Sequence, residues 1–318
     1  MTQMNNDKDI KRYSYSRIST YKQCPRKHYY LYVEQIQAKQ SPYVIPGKLF
    51  HQAVEYTLKG LDVQPVYDEF VSYCRTGVLD IEPDTLEYVV NLYFNYYHKD
   101  YTEEKNLMVE KEFNDDLDDE GNYLTMIIDQ VFEKDNNIYI RDIKTTANAL
   151  KYTMDDVVFN QQLLLYLPYV EAELGQPVNA IQIDEVRIAK LKEVPLKANG
   201  KPVADKRLLS LVTYEAYLQE LQNQGLENDK EYQATLEYLE QRGHPLFNRV
   251  TVQILDQNIV SSNAQDFIAA FNSAKTMADY RVKGPLCQYC SYCQLCKLDY
   301  SNPDTQSRQQ VIDRIENF

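Results

Sequence analysis

In residues 137–145, NIYIRDIKT, an acid and an amine stand two positions apart among apolar and β-branched neighbours. Ile138, Ile140, Asp142 and Lys144 alternate with Tyr139, Arg141 and Ile143, so an extended strand sets the carboxylate and the ammonium on one face, roughly 7 Å apart along the backbone. Upstream, GNYLTMIIDQVF reads as a second strand with Asp129 amid apolar residues, and hairpin pairing brings Asp129 beside Asp142. Neighbouring carboxylates repel, and such a cluster is tolerated mainly when a divalent cation neutralises it. With Lys144 alongside, this is the grouping of a metal-assisted hydrolase. The competing reading is an exposed cross-strand ion pair, because the D-x-K tripeptide is common.

Cysteines supply the second chemical signal. Cys287, Cys290, Cys293 and Cys296 recur at every third position in CQYCSYCQLC. In a reducing compartment this C-x2-C spacing suits metal thiolates better than disulfides. Those four could hold one zinc ion, yet Cys24, beside Pro25 far upstream, offers a different set of four. Cys74, in VSYCRTG, has no such company and reads as an ordinary thiol. His51 shares a helix side with Val54 and Leu58, where a lone histidine is more often a core residue than a ligand. The acidic run NDDLDDEG lacks EF-hand spacing and reads as a solvated turn.

These groups need elements to hold them. Residues 1–12 read as a loose tail. A helix opens at Arg17 with Ser16 or Ser19 as its cap, and Pro25 starts a second one, which places Cys24 at a junction. Helices are expected over 47–61 and 84–99, and a strand over 107–113. A helix over 155–174 carries the apolar stripe Leu163, Leu167, Val170 and Leu174, with Gln162 and Tyr166 as i,i+4 neighbours beside it. A strand over 180–189, a charged helix over 208–243 and a strand over 249–255 follow. Ser262, boxed by Gln265, opens a last helix that runs to about Tyr280.

Composition sets the outer bounds. With 318 residues the length suggests about two domains, and 44% hydrophobic with 25% charged residues gives an ordinary globular chain. There is no run of eighteen apolar residues, and the start, MTQMNNDKDIKRYSYS, is polar, so a cytoplasmic protein without a membrane partner is expected. The 28 tyrosines against no tryptophan reflect genome composition more than base stacking. A net charge of −13 argues against a generic nucleic-acid coat but leaves room for a local basic groove.

Taken in order, Cys24 in CPRKHYY, Gly47 and His51 in GKLFH, Asp129 in MIIDQV, Asp142 and Lys144 in DIKTT, Gln162 and Tyr166 in QLLLY, and the closing C-x2-C-x5-C resemble the RecB-like branch of the PD-(D/E)XK nucleases. More particularly, over residues 14 to about 300, the chain resembles the members with an iron–sulfur cluster: CRISPR-associated RecB-like exonucleases, AddB-type subunits and many phage exonucleases. The resemblance implies an α/β restriction-endonuclease-like core, a mixed central sheet flanked by helices, with helical insertions and an iron–sulfur staple joining the chain ends. That stapling implies one nuclease domain over 13–300, with a flexible tail at 1–12 and a C-terminal tail at 301–318.

The same resemblance assigns roles. His51, Asp129 and Asp142 match ligands for one or two Mg²⁺ or Mn²⁺ ions, with the Ile143 carbonyl completing the shell, and Lys144 matches the lysine that orients or activates the attacking water. Gln162 and Tyr166 match a helix motif that supports the site and touches the substrate strand, and either Glu110 or Glu112 matches an acid on the preceding strand. Cys24, Cys287, Cys290 and Cys296 match the ligands of a [4Fe–4S] cluster. The implied activity is metal-dependent DNA hydrolysis by an exonuclease acting on single strands or strand ends, in recombination, repair or phage DNA metabolism. Departures are Met126 where the family often has glycine, the additional Cys293, and residues 208–243, which match no motif. Two other classes stay open: a catalytically silent nucleic-acid-binding subunit of a helicase–nuclease-like complex, and a zinc-ribbon interaction protein.

Overall fold

Alternation and turn chemistry in residues 105–146 produce the antiparallel strands that carry the acids. The computed structural model describes residues 11–254, 257–276, 280–301 and 304–317. Residues 1–10 of the expected tail, Leu255 of the expected strand and residues 277–279 of the expected last helix lie outside these.

In chain order, β1 (Arg12–Tyr13) leads into α1 (Tyr15–Gln23) and α2 (Pro25–His28), which continues as a π-helical turn, Tyr29–Val33. The cap of α1 is Ser14, whose extended backbone lets its hydroxyl accept from Arg17 N at 3.2 Å; Ser16 and Ser19, the expected caps, lie inside the helix. Cys24 ends α1 and begins α2. Next come α3 (Val44–Lys59), α4 (Gln64–Cys74), α5 (Thr85–Tyr96) and α6 (His98–Glu103). Then follow β2 (Lys105–Asp116), β3 (Tyr123–Lys134) and β4 (Asn137–Thr146).

The helix expected over 155–174 is two helices, α7 (Met154–Val158) and α8 (Gln161–Leu174). Each has its own cap, a Thr153–Asp156 capping box and the Asn160 side chain, so the chain restarts between them. After β5 (Ala180–Arg187), the expected charged helix is likewise divided into α9 (Tyr214–Asn223) and α10 (Lys230–Arg242). β6 (Phe247–Gln253) precedes α11 (Gln257–Lys275), which begins five residues before Ser262 and leaves that serine inside the helix rather than at a capping box. The chain closes with α12 (Cys293–Asp299) and α13 (Thr305–Asn317), the latter within the segment set apart as a C-terminal tail.

The strands form one mixed six-stranded sheet. β2, β3 and β4 form an antiparallel meander, with Asp135 and Asn136 both at positive φ in the tight β3–β4 turn. β5 joins β4 in parallel after the α8 crossover, and β6 closes the far side antiparallel to β5. β2 runs along one edge of β3, while β1 and β4 divide the other: β1 pairs at Tyr123 and Leu124, and β4 from Gln130 onward. Between these pairings the sheet is split, and Asp129 stands at the split.

Two apolar layers hold the sheet. On one side Met126, Ile128, Val131 and Ile140 pack with Leu163 and Leu167 of α8, Phe271 of α11 and Ile18 of α1. On the other, Ile143 and Val186 pack with Phe50 of α3, Phe70 of α4 and Tyr93 of α5. Arg141 is wholly buried beside the site, donating to Gln182 Oε1 (2.6 Å), Gln130 Oε1 (2.7 Å) and Glu104 Oε2 (2.9 Å). Removing one partner of so buried a charge costs several kcal/mol, on the order of 3–5, so this network fixes β4 in place. The α9–α10 insertion has its own core of Leu209, Tyr217, Leu221, Tyr232 and Leu239.

A fourth cluster joins the chain ends: Tyr30 and Ile36 pack against Tyr292 and Leu295, with Val311 and Ile315 of α13 beside them. Tyr30 Oη donates to Asp299 Oδ2 (2.7 Å), and Tyr292 Oη donates to the Ile36 carbonyl (2.7 Å). Among the described residues no helix is long and apolar enough to cross a membrane.

Candidate active site

The site is built where β3 and β4 part. Beyond the Gln130–Arg141 pair the two strands diverge, and the Asp129 carboxylate takes the place of a strand partner: Ile143 N donates to its Oδ2 at 2.7 Å. The inward positions of β3 run Met126, Ile128 and then Val131, so alternation breaks at Asp129. Directly across, Glu110 lies between the pairs Val109–Gln130 and Lys111–Ile128 with φ at +48°, in the left-handed region. This distortion chooses between the two expected glutamates. Glu110 lines the same pocket as Asp129 and His51, whereas Glu112 accepts from Asn114 Nδ2 (2.9 Å) and lines a different one.

His51 reaches this cluster from α3. Its Nδ1 is 3.5 Å from Asp129 Oδ2, and one ligand atom each of His51, Glu110 and Asp129 lie within 4.8 Å of one another. Burial opposes the imidazolium, but the Asp129 hydrogen bond and the charges of Asp129, Asp142 and Glu110 outweigh it and raise the pKa. Burial, reinforced by Asp129, pushes Glu110 up to about 7. Hydrogen-bonding oxygens and one imidazole gathered at this range suit a hard divalent cation.

Asp142 and Lys144 share a face, as the alternation predicts. Lys144 Nζ approaches Asp142 Oδ1 at 3.0 Å and Oδ2 at 2.8 Å, but only the first contact has hydrogen-bond geometry. Asp142 is 6% exposed, and its Oδ2 is buried with no hydrogen bond, only the Lys144 ammonium beside it. Burial pushes the Asp142 pKa up to about 6, against the pull of Lys144 and with help from Asp129. Lys144 also donates to Gln162 Oε1 (3.3 Å), whose Nε2 donates to Tyr166 Oη (3.1 Å). The two residues at the start of α8 thus extend the Asp142–Lys144 pair. Asp142 stands outside the close group of His51, Glu110 and Asp129.

Glu185 on β5, paired with Lys144, is absent from the sequence reading. Its Oε2 accepts from Lys151 N (2.7 Å) and Tyr152 N (3.0 Å), and so pins the loop after β4. An acid followed by an apolar residue in a buried strand carried no signal, because its partners are backbone groups.

Gly47 is where α3 meets β4, and a Cβ there would lie 2.6 Å from Thr145 Oγ1. Gly47→Ala is expected to lower stability, because overpacking of about 1–3 kcal/mol exceeds the ~1 kcal/mol helix preference of alanine over glycine. In a Thr145→Ala background the same change is expected to stabilise. Urea denaturation of the four proteins of this cycle reads the sign in each background, and an unchanged sign would show that the contact is not the cause.

The second cluster lies at the chain ends. Cys24 lines one cavity of about 240 Å³ together with Cys287, Cys290, Cys293 and Cys296. All six cysteines are free thiols, and Cys74 is buried elsewhere, among α4 and its neighbours. Burial raises the Cys290 and Cys296 thiols, and each is raised further by Cys24. Among the described residues, no three cysteine sulfurs lie within 4.8 Å of one another.

No curated protein matches the chain. The sequence profile of the PD-(D/E)XK nuclease superfamily matches residues 12–297, from the strand paired at the split to the helix that carries the last two cysteines. The chain belongs to the PD-(D/E)XK nuclease superfamily.

Proposed function

We propose that this protein is a metal-dependent DNA exonuclease of the RecB-like, iron–sulfur branch, a single domain over residues 13–300, working in the cytoplasm in recombination, repair or phage DNA metabolism. The observation that carries this reading is the convergence of Glu110, Asp129, Asp142, His51 and Lys144 at the split between β3 and β4. His51, Glu110, Asp129 and Asp142, with the Ile143 carbonyl, would hold one or two Mg²⁺ or Mn²⁺ ions. A bound ion of this kind generates a nucleophile near neutral pH and offsets charge on the phosphate.

The chain's own groups do the rest. Lys144, held by Asp142 and Gln162, keeps a fixed positive charge beside the acids, where it orients water or meets a phosphate oxygen. Tyr166 holds Gln162 in place and borders the substrate strand. The pocket of about 820 Å³ over His51, Glu110 and Asp129 is also lined by Tyr43 and Val44, both exposed. Cys24, Cys287, Cys290 and Cys296, which share one cavity with Cys293, would ligate a [4Fe–4S] cluster.

The test is digestion of end-labelled single- and double-stranded DNA with Mg²⁺ or Mn²⁺. Mononucleotides or short oligonucleotides released from an end are expected. Internal cuts in circular DNA would overturn the exonuclease assignment, and no cleavage in either metal would leave a silent subunit.

A further inference from the structure

The chain carries a net charge of −13, yet the cysteine cavity is lined by Arg26, Lys27, Arg281, Lys283 and Lys297 and, among the described residues, by no carboxylate. Three of these cations belong with the sulfurs: Cys296 feels Arg281 and Arg26, and Cys290 feels Lys27. Lys283 and Lys297 instead are exposed. Tyr289, which lines an adjoining cavity with Cys24 and Lys27, is 80% exposed, while Tyr300 lies under the Arg281 guanidinium and Tyr280 meets Tyr21, both rings still open to solvent. Lysines interleaved with exposed rings are what a single strand needs, phosphates taking the charge and unpaired bases the ring faces.

The patch also connects with the catalytic pocket. Lys27 Nζ donates to Gln23 Oε1 (3.0 Å) at the end of α1, and Lys22 Nζ donates to Gln161 Oε1 (3.0 Å). Gln161 adjoins Gln162, the partner of Lys144. Lys27 on α2 and Lys22 on α1 thus lie between the cysteines and the start of α8.

We propose that the rim of the cysteine cavity, from Lys283, Tyr289 and Lys297 across Lys27 and Lys22, binds single-stranded DNA and guides it to Lys144. The direction of that path rests on the nuclease reading; the binding itself does not. No motif here reads a groove, so the contact is to backbone and base faces and independent of sequence.

The test is fluorescence anisotropy with a labelled single-stranded oligonucleotide, on the full-length protein with its iron, in EDTA so that nothing is cut. Lys283→Gln with Lys297→Gln is expected to weaken binding about tenfold at low salt and to reduce the slope of log K against log salt by roughly 1.4. Tyr289→Ala is expected to weaken it about five- to a hundredfold, with little change in slope. Iron content and melting temperature are read on each variant. Wild-type affinity and slope in both variants would overturn the proposal, as would loss of binding that tracks loss of iron, since the cations would then serve the cysteines. Equal affinity for a duplex of the same length would overturn the single-strand assignment. A protein that binds the strand in this way but cuts no DNA keeps the surface and refutes the nuclease reading.

Discussion

Asp142→Asn is expected to lose DNA cleavage by on the order of a thousandfold while making the metal-free protein more stable. Both effects come from one carboxylate, which is buried, lacks a hydrogen bond on Oδ2 and shares the split with Asp129. Its folded pKa of about 6 lies above the ordinary carboxylate value, so the folded state holds this proton more tightly than the unfolded chain. The associated stability is therefore full at low pH and is lost as pH rises from about 4 through about 6, on the order of 3 kcal/mol. Asparagine removes that penalty and still offers Lys144 an acceptor. Urea denaturation in EDTA at pH 5 and pH 7.5 should show a smaller pH difference in the variant. Added Mn²⁺ should raise the melting temperature of the wild type far more than that of Asp142→Asn. Full cleavage by the variant would remove Asp142 from the reaction.

Replacing Cys24 with serine is expected to cost most of the iron, the brown colour and more than about 4 kcal/mol of stability, because a ligand set assembled from both chain ends couples metal binding to folding. The same losses are expected for Cys287, Cys290 and Cys296, with Cys293→Ser nearly silent. The bonds that already tie the ends, Tyr30 to Asp299 and Tyr292 to Ile36, set a floor, so the apo variants should soften locally before they unfold. Iron content and thermal melts of the five single variants decide the ligand set. Iron lost from Cys293→Ser but kept by Cys24→Ser would assign the four clustered cysteines and remove the staple.

The acids of β3 and β4 were legible as neighbours because a hairpin with a tight turn has one register, but its pairing ends at Gln130 and Arg141, one residue short of Asp129 and Asp142, and Asp129 turns to Ile143 N instead. Glu110 and Glu112 were not separable by period, since residues two apart share a face; a left-handed φ and the approach of α3 separate them. The break between α7 and α8 escaped notice because 155–174 is apolar at helical spacing throughout, and only Thr153 and Asn160 as separate caps reveal two helices. For α1 the sequence offered Ser16 and Ser19, and the extended backbone at Ser14, ahead of both, makes that serine the cap instead. The split itself has no local signature, for it depends on β1 pairing with residues more than a hundred positions away.

The closing contacts at the chain ends also order events in time. Tyr30 and Asp299 are 269 residues apart, so at about 5–20 residues per second a ribosome needs roughly 13 s or more between making one and the other. For the later part of that interval, once Lys144 is made, the acid row exists on a nascent chain whose α2 lacks α12. Only a polypeptide made past α12 has the lock that seats α2 against α12, so translation that stops before it yields the catalytic strands on a chain without that lock.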